Sequence, residues 1–175
     1  MAGRRRSTSV ALSVVCAGAL VTPAAIEARS ASASHSYVVN GNVIGGFRTA
    51  TDGYRTARKL FGGPRSSTQT HVACIVRWPD GLVVTFRRKL PYAAFTKACL
   101  VVESARITGK SWRTDKGLRV GSAVSEIARA YPTAALRKIG GLSVWVLAPR
   151  LNPALVARVK GGLVQYLAVV RLTAR

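Results

Sequence analysis

Two stretches of the chain carry apolar residues at the spacing of a short amphipathic helix. The first, 52–61, is followed by the glycine- and proline-containing segment 62–64, which ends a helix. The second, 122–131, has Ser122 as its expected N-cap and is ended by Pro132. The predicted apolar faces consist of Tyr54, Ala57, Leu60 and Phe61 in the first stretch and of Val124, Ile127, Ala128 and Tyr131 in the second.

Alternating apolar and polar residues follow the first helical stretch and predict antiparallel strands. The runs 72–78 and 82–88 are joined by 79–81, a Pro-Asp-Gly turn in which proline presets φ and glycine accepts a positive φ. The side chains expected to face inward are Val72, Cys74, Val76 and Trp78 in one strand and Leu82, Val84 and Phe86 in the next. A further strand is predicted at 100–107, before a polar connection at 108–116.

The second helical stretch is followed by three apolar runs, 142–147, 155–159 and 163–172. The last two runs are separated by Gly161-Gly162, a hairpin signal. One face of the last run is expected to carry Val164, Tyr166, Ala168, Val170 and Leu172. Near the start of the chain, Asn40-Gly41-Asn42 lies between two short apolar segments and predicts a small N-terminal hairpin.

The same order of elements occurs twice: a glycine-containing lead-in, a short helix and antiparallel strands. Gly46 aligns with Gly117 in the two lead-ins. The pattern predicts an α+β fold with two similar halves, 34–107 and 108–175, which share or abut their sheets or together form one compact domain. An internal duplication explains this similarity, and chance similarity is the alternative explanation.

The first 33 residues have the features of a cleaved secretory signal peptide. Three arginines at 4–6 precede an apolar run at 10–21, and Ala31-Ser32-Ala33 fits a cleavage site. The run is shorter than the roughly 20 apolar residues that span a bilayer. We therefore expect export to the cell envelope or medium after cleavage near Ala33, with no transmembrane segment in the remaining chain. An uncleaved anchor is the alternative.

The chain is strongly basic, and this bears on its function more than its length does. The 175 residues contain 27 Lys+Arg and 6 Asp+Glu, for a formal net charge of +21, yet 49 % are hydrophobic. Enough apolar side chains are therefore present for a core, which excludes a disordered polycation. The predicted leader accounts for only four of the cations and one of the acids. Part of the arginine content also has a simple explanation in a GC-rich genome.

Two cysteines remain after the predicted leader, Cys74 and Cys99. An even number of cysteines in an exported chain favours a disulfide. The chain has no C-x-x-C motif, so a redox or metal-binding role for the pair is not expected.

The segment at 117–132, GLRVGSAVSEIARAYP, resembles the entry into a known type of small envelope module. In these modules a Gly-x-x-x-Gly precedes a short helix that ends in glycine or proline. They include the small lipoprotein of the outer-membrane barrel-assembly machinery and, as a tandem pair, the secreted β-lactamase inhibitor proteins. The resemblance covers 45–86 and 117–172 and implies the fold. It implies no site residue, since none of the inhibitors' binding residues can be matched to this chain.

The chain contains few residues that could act in catalysis. The chain has only two histidines and few acids, with no metal-ligand spacing and no phosphate-binding loop, so we expect no catalytic residue, metal or cofactor. Asp52 and Asp80 fit structural roles at a helix start and in a turn. Glu103 and Asp115 have no evident structural role, although Glu103 could simply pair with an arginine. An unrecognised hydrolase site would require His71 or Glu103 to lie in a cleft beside a second titratable group.

The remaining feature that points to a function is the basic charge, since a basic surface attracts polyanions over a long range. Trp78 and Trp145 fit strand positions and are expected in the core, whereas Trp112, in the polar connection, is expected to be exposed beside cations. The candidate binding residues are Trp112, Lys110, Arg113, Arg87, Arg88, Lys89, Arg55 and Arg58.

The sequence therefore predicts a secreted, non-enzymatic binding protein whose partner is an anionic envelope polymer or an acidic protein. Nucleic acid is not expected, because it is scarce outside the cell. An inhibitor of an extracellular enzyme is the second hypothesis, which the resemblance implies. A small hydrolase is the third.

Overall fold

Two sheets, one antiparallel and one mixed, and three short helices make up the described part of the chain. In this computed structural model the described residues are 38–88, 94–149 and 151–171. They form an α+β fold in which a large sheet of eight strands dominates. The predicted leader at 1–33 and the candidate residue Lys89 lie outside the described residues.

The large sheet contains strands from both predicted halves. Its strands are β4 (Ser66–Gln69), β5 (Ala73–Arg77), β6 (Leu82–Arg88), β7 (Cys99–Ile107), β9 (Ala135–Ile139), β10 (Leu142–Val146), β11 (Ala154–Lys160) and β12 (Leu163–Val170). They are ordered β4-β5-β6-β7-β12-β11-β10-β9, and every neighbouring pair is antiparallel. The central pair, β7 with β12, joins the two sets of strands.

The small sheet and the helices complete the fold. The small sheet has the order β3-β2-β1-β8 and consists of β1 (Val38–Val39), β2 (Val43–Ile44), β3 (Phe47–Arg48) and β8 (Arg113–Thr114). The helices are α1 (Tyr54–Phe61), α2 (Phe95–Ala98) and α3 (Val124–Ala130). The expected N-terminal hairpin is confirmed, since β1 and β2 pair antiparallel with Val39 opposite Ile44.

One face of the large sheet packs against the small sheet and the helices. Phe47 from β3, Tyr54 from α1 and Ile127 from α3 lie in the same buried cluster as sheet residues such as Phe86 and Leu167. We call this side of the large sheet its core face. Burial of the apolar side chains on this face is the main favourable contribution to folding.

Phe61, at the end of α1, is the centre of an aromatic cluster. Its ring contacts Phe47, Trp78 and Trp112 edge-on, with centroid distances of 5.9, 5.7 and 6.0 Å. Edge-to-face arrangements at these distances are favourable beyond the area they bury. The cluster therefore ties α1 to the small sheet and to the β5–β6 hairpin.

The predicted disulfide is confirmed. Cys74 on β5 and Cys99 at the start of β7 are bonded, with Cα atoms 5.9 Å apart, and both side chains are fully buried. The bond links the two strands that flank β6 and closes a loop with a sequence separation of 25 residues. It fixes the beginning of β7 against the first hairpin.

The two predicted helices, α1 and α3, and the first hairpin lie where the periodicity predicts them, but several predicted faces are wrong. Val72 is 73 % exposed because β5 begins only at Ala73. Leu60 and Ala128 are exposed because the apolar stripe of each short helix is narrower than expected. Ser122 is not the N-cap: the helix begins one residue later, and Ala123 occupies that position.

The predicted face of the last strand is also wrong, for a specific reason. Arg158 pairs with Tyr166 but Val159 pairs with Val164, so Gln165 is an extra residue in β12. Such a bulge moves the following side chains to the opposite face. Val164 therefore shares the main core with Leu167 and Val169, while Tyr166, Ala168 and Val170 lie on the other side.

Three strands had no clear sequence signal. The edge strand β4 is entirely polar, and β9 has Arg137 and Lys138 side by side, so both lack the apolar alternation that marks half-buried strands. The expected polar connection at 108–116 contains β8, which pairs in parallel with β1. These strands form because a neighbouring strand offers a hydrogen-bonding edge.

Removing the disulfide should lower the free energy of unfolding by about 3 kcal/mol, because the unfolded chain regains the entropy of the closed loop. The test is urea unfolding of the Cys74→Ala/Cys99→Ala variant without reductant. Dithiothreitol should bring the wild-type protein close to the variant and leave the variant unchanged. Equal stability of both proteins in the absence of reductant would contradict the prediction.

Truncating Phe61 should cost more than truncating its neighbour in the sequence. Phe61→Ala removes the ring that contacts three other aromatic residues, and we expect a loss of about 3 kcal/mol. Leu60→Ala is the matched control, since Leu60 is 44 % exposed and its loss should cost within about 0.5 kcal/mol. Urea unfolding of both variants measures the difference, and similar losses would refute the role of the cluster.

Candidate functional site

The side of the large sheet that faces away from the core carries a row of residues defined by strand register. Residues opposite each other in an antiparallel pair point to the same face. Leu82 and Val84 are in the core, so Val83 between them points to the other side, which we call the outer face. The row through Val83 reads Ser66, Arg77, Val83, Arg106, Ala168, Val156, Val146 and Ala135, one residue from each of the eight strands.

Five of the described arginines lie on this outer face. Arg77 and Arg106 belong to the row itself. The register of the adjacent rows places Arg87, Arg137 and Arg158 on the same face. All are exposed except Arg158, which is half-buried. The set, which we call the arginine face, consists of Arg77, Arg87, Arg106, Arg137 and Arg158.

Neighbouring groups hold three of these side chains. Arg87 forms an ion pair with Glu103 at 3.3 Å. The guanidinium of Arg106 lies 5.9 Å from the ring centre of Tyr166, a cation–π contact. Arg158 donates a hydrogen bond to the backbone oxygen of Ser143. The Arg87–Glu103 pair is the only ion pair formed among the described residues, so the positive charge of this face is largely uncompensated.

Small apolar side chains lie between the arginines in the second half of the sheet. They form a buried cluster separate from the main core, made of Val144, Val146, Ala154, Val156 and Ala168. Tyr166 and Val170 pack against this cluster and are partly exposed. On the first half of the sheet, Ile75 and Val83 are also partly exposed on the same face. Arginine, tyrosine and apolar residues together are typical of protein interfaces.

The residues that the sequence singled out are dispersed. Arg87 lies on the arginine face, whereas Arg55 and Arg58 lie exposed on α1, which packs on the core face. Lys110 and Arg113 are exposed just before and within β8. The structure therefore does not bring these candidates together.

Arg88 is held by a structural contact. Its Nη1 donates to the backbone oxygen of Thr70 at 2.8 Å. With the Gln69 amide oriented so that its oxygen faces Arg88, Nε and Nη2 also donate to it at 2.9 Å. These bonds link the end of β6 to the edge of the sheet at β4.

The expectation that Trp112 is exposed is wrong. Its side chain is 1 % exposed, it contacts Phe61, and its Nε1 donates to the backbone oxygen of Asp80 at 2.9 Å. Trp112 directly precedes β8, and the pairing of β8 with β1 places it in the core. The polar residues around Trp112 in the sequence do not indicate this position. Trp78 is buried as expected, and Trp145 is partly buried against the core.

Several of the arginines on the outer face were not among the sequence candidates. Arg77, Arg106, Arg137 and Arg158 lie far apart along the chain, and only strand pairing brings them to one side. For Arg77 and Arg106 the available signal was the alternation within the strand, since each lies between two residues that are buried in the core. Arg137 had no such signal, because its neighbour Leu136 is 58 % exposed.

A cleft of about 520 Å³ lies elsewhere on the molecule. It is bordered by the β1–β2 turn, the residues after β8, the end of α3 and the β10–β11 connection. The lining residues are Asn40, Gly41, Asp115, Lys116, Tyr131, Thr133, Leu147, Ala148, Pro149, Leu151 and Leu155. Gly41 permits a close approach here, since a Cβ at this position would lie 2.7 Å from Cδ1 of Leu151.

Tyr131 contacts both charged residues of the cleft. Its hydroxyl donates to Oδ1 of Asp115 at 2.9 Å, and Nζ of Lys116 lies 4.9 Å from its ring centre. Burial raises the pKa of the Tyr131 phenol, and the neighbouring Asp115 carboxylate raises it further. The phenol therefore stays protonated at neutral pH and keeps its hydrogen bond to Asp115.

The residues considered for catalysis have structural partners or lie apart. His71 is exposed and Glu103 pairs with Arg87, and neither lines the cleft. Asp52 accepts a hydrogen bond from the backbone nitrogen of Arg48 at 2.7 Å. In the described part of the chain, no group of three or more histidine, cysteine or acidic residues could hold a metal ion.

Glu126 stabilises the start of α3. Ser122 donates to its Oε2 at 2.8 Å, and the backbone nitrogen of Ala123 donates to Oε1 at 3.4 Å. The Ser122 hydrogen bond is the main cause that lowers the pKa of Glu126 below 4.5. A carboxyl whose pKa is lower in the folded state stabilises the fold above its unfolded pKa, and this contribution is lost as the pH falls through the folded pKa.

Comparison with protein families, with curated proteins and with solved structures finds no match for this chain. The resemblance to envelope modules and β-lactamase inhibitor proteins therefore remains a prediction from the residues. Among the described residues, no helix has the length and apolar character needed to cross a membrane.

Ser122→Ala should raise the pKa of Glu126 toward 4.5 and reduce stability at about pH 7 more than at about pH 3. The cause is the loss of the hydrogen bond that favours the charged carboxylate. NMR titration of the Glu126 side chain and melting temperatures at both pH values measure the two effects. Ser125→Ala is the matched control, because Ser125 is exposed on the same helix. An unchanged pKa in Ser122→Ala would rule out the proposed cause.

Proposed function

We propose that this chain is an exported, non-enzymatic binding protein that engages an anionic macromolecule through the arginine face. The observation that carries the proposal is the position of Arg77, Arg87, Arg106, Arg137 and Arg158 on one side of a single sheet. The full chain has a formal net charge of +21, of which the predicted leader holds only four cations and one acid, and this charge adds long-range attraction for any negatively charged partner.

Arginine suits such a role better than lysine. Its guanidinium is planar and presents donors that match carboxylate and phosphate groups in pairs. It is also more weakly hydrated than an ammonium group, so it loses less when water leaves an interface. A sheet holds its side chains at regular distances, which favours repeated contacts with an extended anionic partner or an acidic surface.

An acidic protein is favoured over a simple polyanion as the partner. Partly exposed Ile75, Val83 and Tyr166 lie on the same face as the arginines, and a charged polymer would leave these apolar groups without a contact. A folded protein with an acidic rim and an apolar centre would cover both kinds of side chain. Inhibition of an extracellular enzyme, which the resemblance implies, is a special case of this interaction.

The export and two-halved organisation of the protein belong to the same proposal. Export is supported by the leader-like pattern before Ala33 and by the disulfide, which is typical of oxidising compartments. The two halves are supported by the strand order, which runs outward from the β7–β12 pair in the same sequence on both sides. A helix also precedes each set, α1 before β4 and α3 before β9.

Removing charge from the arginine face should weaken anion binding more than removing the same charge elsewhere. The test variant is Arg77→Gln/Arg106→Gln/Arg137→Gln. The control is Arg55→Gln/Arg58→Gln/Arg129→Gln, whose residues are exposed on α1 and α3. Fluorescence anisotropy with labelled poly-L-glutamate over a series of salt concentrations measures both. We expect the affinity of the test variant to fall about tenfold further than that of the control.

The comparison of the two variants distinguishes binding by the arginine face from a general effect of the net charge. Equal weakening in both variants would mean that the basic charge acts as a whole, and the proposal for the arginine face would be wrong. Binding to poly-L-glutamate should weaken steeply with salt, whereas a complex with an acidic protein that also buries apolar groups should resist salt.

A further inference from the structure

The cleft beside Tyr131 differs in chemistry from the rest of this basic molecule. A carboxylate and an ammonium group, those of Asp115 and Lys116, lie at its border and contact the same phenol. Asp115 and Lys116, which both belong to the described residues, do not form an ion pair with each other. Two separate opposite charges at one cleft are complementary to a ligand that carries both charges as well.

Tyr131 orients this pair of charges. The side chain is 5 % exposed and therefore has little freedom to move away from its contacts. Its hydroxyl donates to one oxygen of Asp115, an exposed residue, and the second carboxylate oxygen has no hydrogen-bond partner among the described residues. The ring attracts the Lys116 ammonium by a cation–π contact. Such preorganisation lowers the entropic cost of binding a ligand.

The floor of the cleft is apolar. Leu147 and Leu155 are each 1 % exposed within the molecule, and Leu151 is 38 % exposed at the edge. The backbone here is fixed by the hydrogen bond from the nitrogen of Leu147 to the oxygen of Leu155 at 2.9 Å. An apolar group of a ligand can therefore pack between charged recognition groups, as in most small-molecule sites.

We propose that this cleft binds a zwitterionic ligand with apolar side chains, the chemistry of an apolar dipeptide. The ligand's ammonium group pairs with Asp115, its carboxylate pairs with Lys116, and a side chain packs against the leucines. A ligand with only negative charge would be repelled by the Asp115 carboxylate in the cleft. Such a ligand would bind more favourably elsewhere on the basic surface. A ligand with only positive charge would be repelled by the net charge of the protein.

The test ligand is L-leucyl-L-leucine, and binding to the full-length protein is measured by isothermal titration calorimetry. For a ligand of this size we expect a Kd on the order of 0.1–1 mM. The N-acetylated dipeptide lacks the positive charge and the dipeptide amide lacks the negative charge. Each should bind about tenfold more weakly, because each loses one charge-assisted contact.

Two variants assign each charge to its partner. Lys116→Met should abolish the difference between the dipeptide and its amide, while the acetylated dipeptide still binds more weakly than the free one. Asp115→Asn should abolish the difference between the dipeptide and its acetylated form instead. Lys110→Met and Asp80→Asn are the matched controls, since these exposed residues do not line the cleft, and they should leave all three affinities unchanged.

The pattern of losses distinguishes recognition from damage to the fold. A variant that fails to fold loses all three ligands and its melting transition, whereas loss of one contact changes a single preference. The proposal is overturned if L-leucyl-L-leucine does not bind at about 10 mM, or if the capped dipeptides bind as well as the free one. The Arg77→Gln/Arg106→Gln/Arg137→Gln variant should keep dipeptide binding, so this test is independent of the proposed function.

Discussion

The antiparallel pairing of β7 with β12 is the interaction on which the rest of this structure depends. It places Leu167 opposite Ile107 and Val169 opposite Ala105 on the core face, so apolar contacts hold two strands that are far apart in the sequence. The same register places Arg106 beside Ala168 on the other face. Because an antiparallel register determines both faces at once, the pair that closes the core also determines which residues meet on the outer face.

The molecule therefore separates two kinds of surface. The outer face of the large sheet carries positive charge with apolar residues between, whereas the cleft near Tyr131 brings one acid and one base together. The first surface is suited to a large anionic partner and the second to a small ligand with both charges. Both surfaces include residues of β11, but only the cleft involves the β1–β2 turn and the end of α3.

Local patterns predicted much of the fold but few of the site residues. The helices α1 and α3, the β5–β6 hairpin and the disulfide follow from periodicity, turn residues and the cysteine count, because each is determined by neighbours in the chain or by chemistry. The outward position of Trp112 was wrong because β8 pairs with β1, a contact between distant segments. The face of β12 was wrong because the bulge at Gln165 has no local signature.

By itself, the sequence determined that the chain is strongly basic, that it contains an apolar core with short helices and antiparallel strands, and that Cys74 can pair with Cys99. These properties depend on composition and on spacing of a few residues. Only the tertiary structure decided which arginines share a face and that Tyr131 meets Asp115 and Lys116. Such groupings depend on the register between strands and on the packing of distant segments, which are set by the free energy of the whole fold and not by any local stretch.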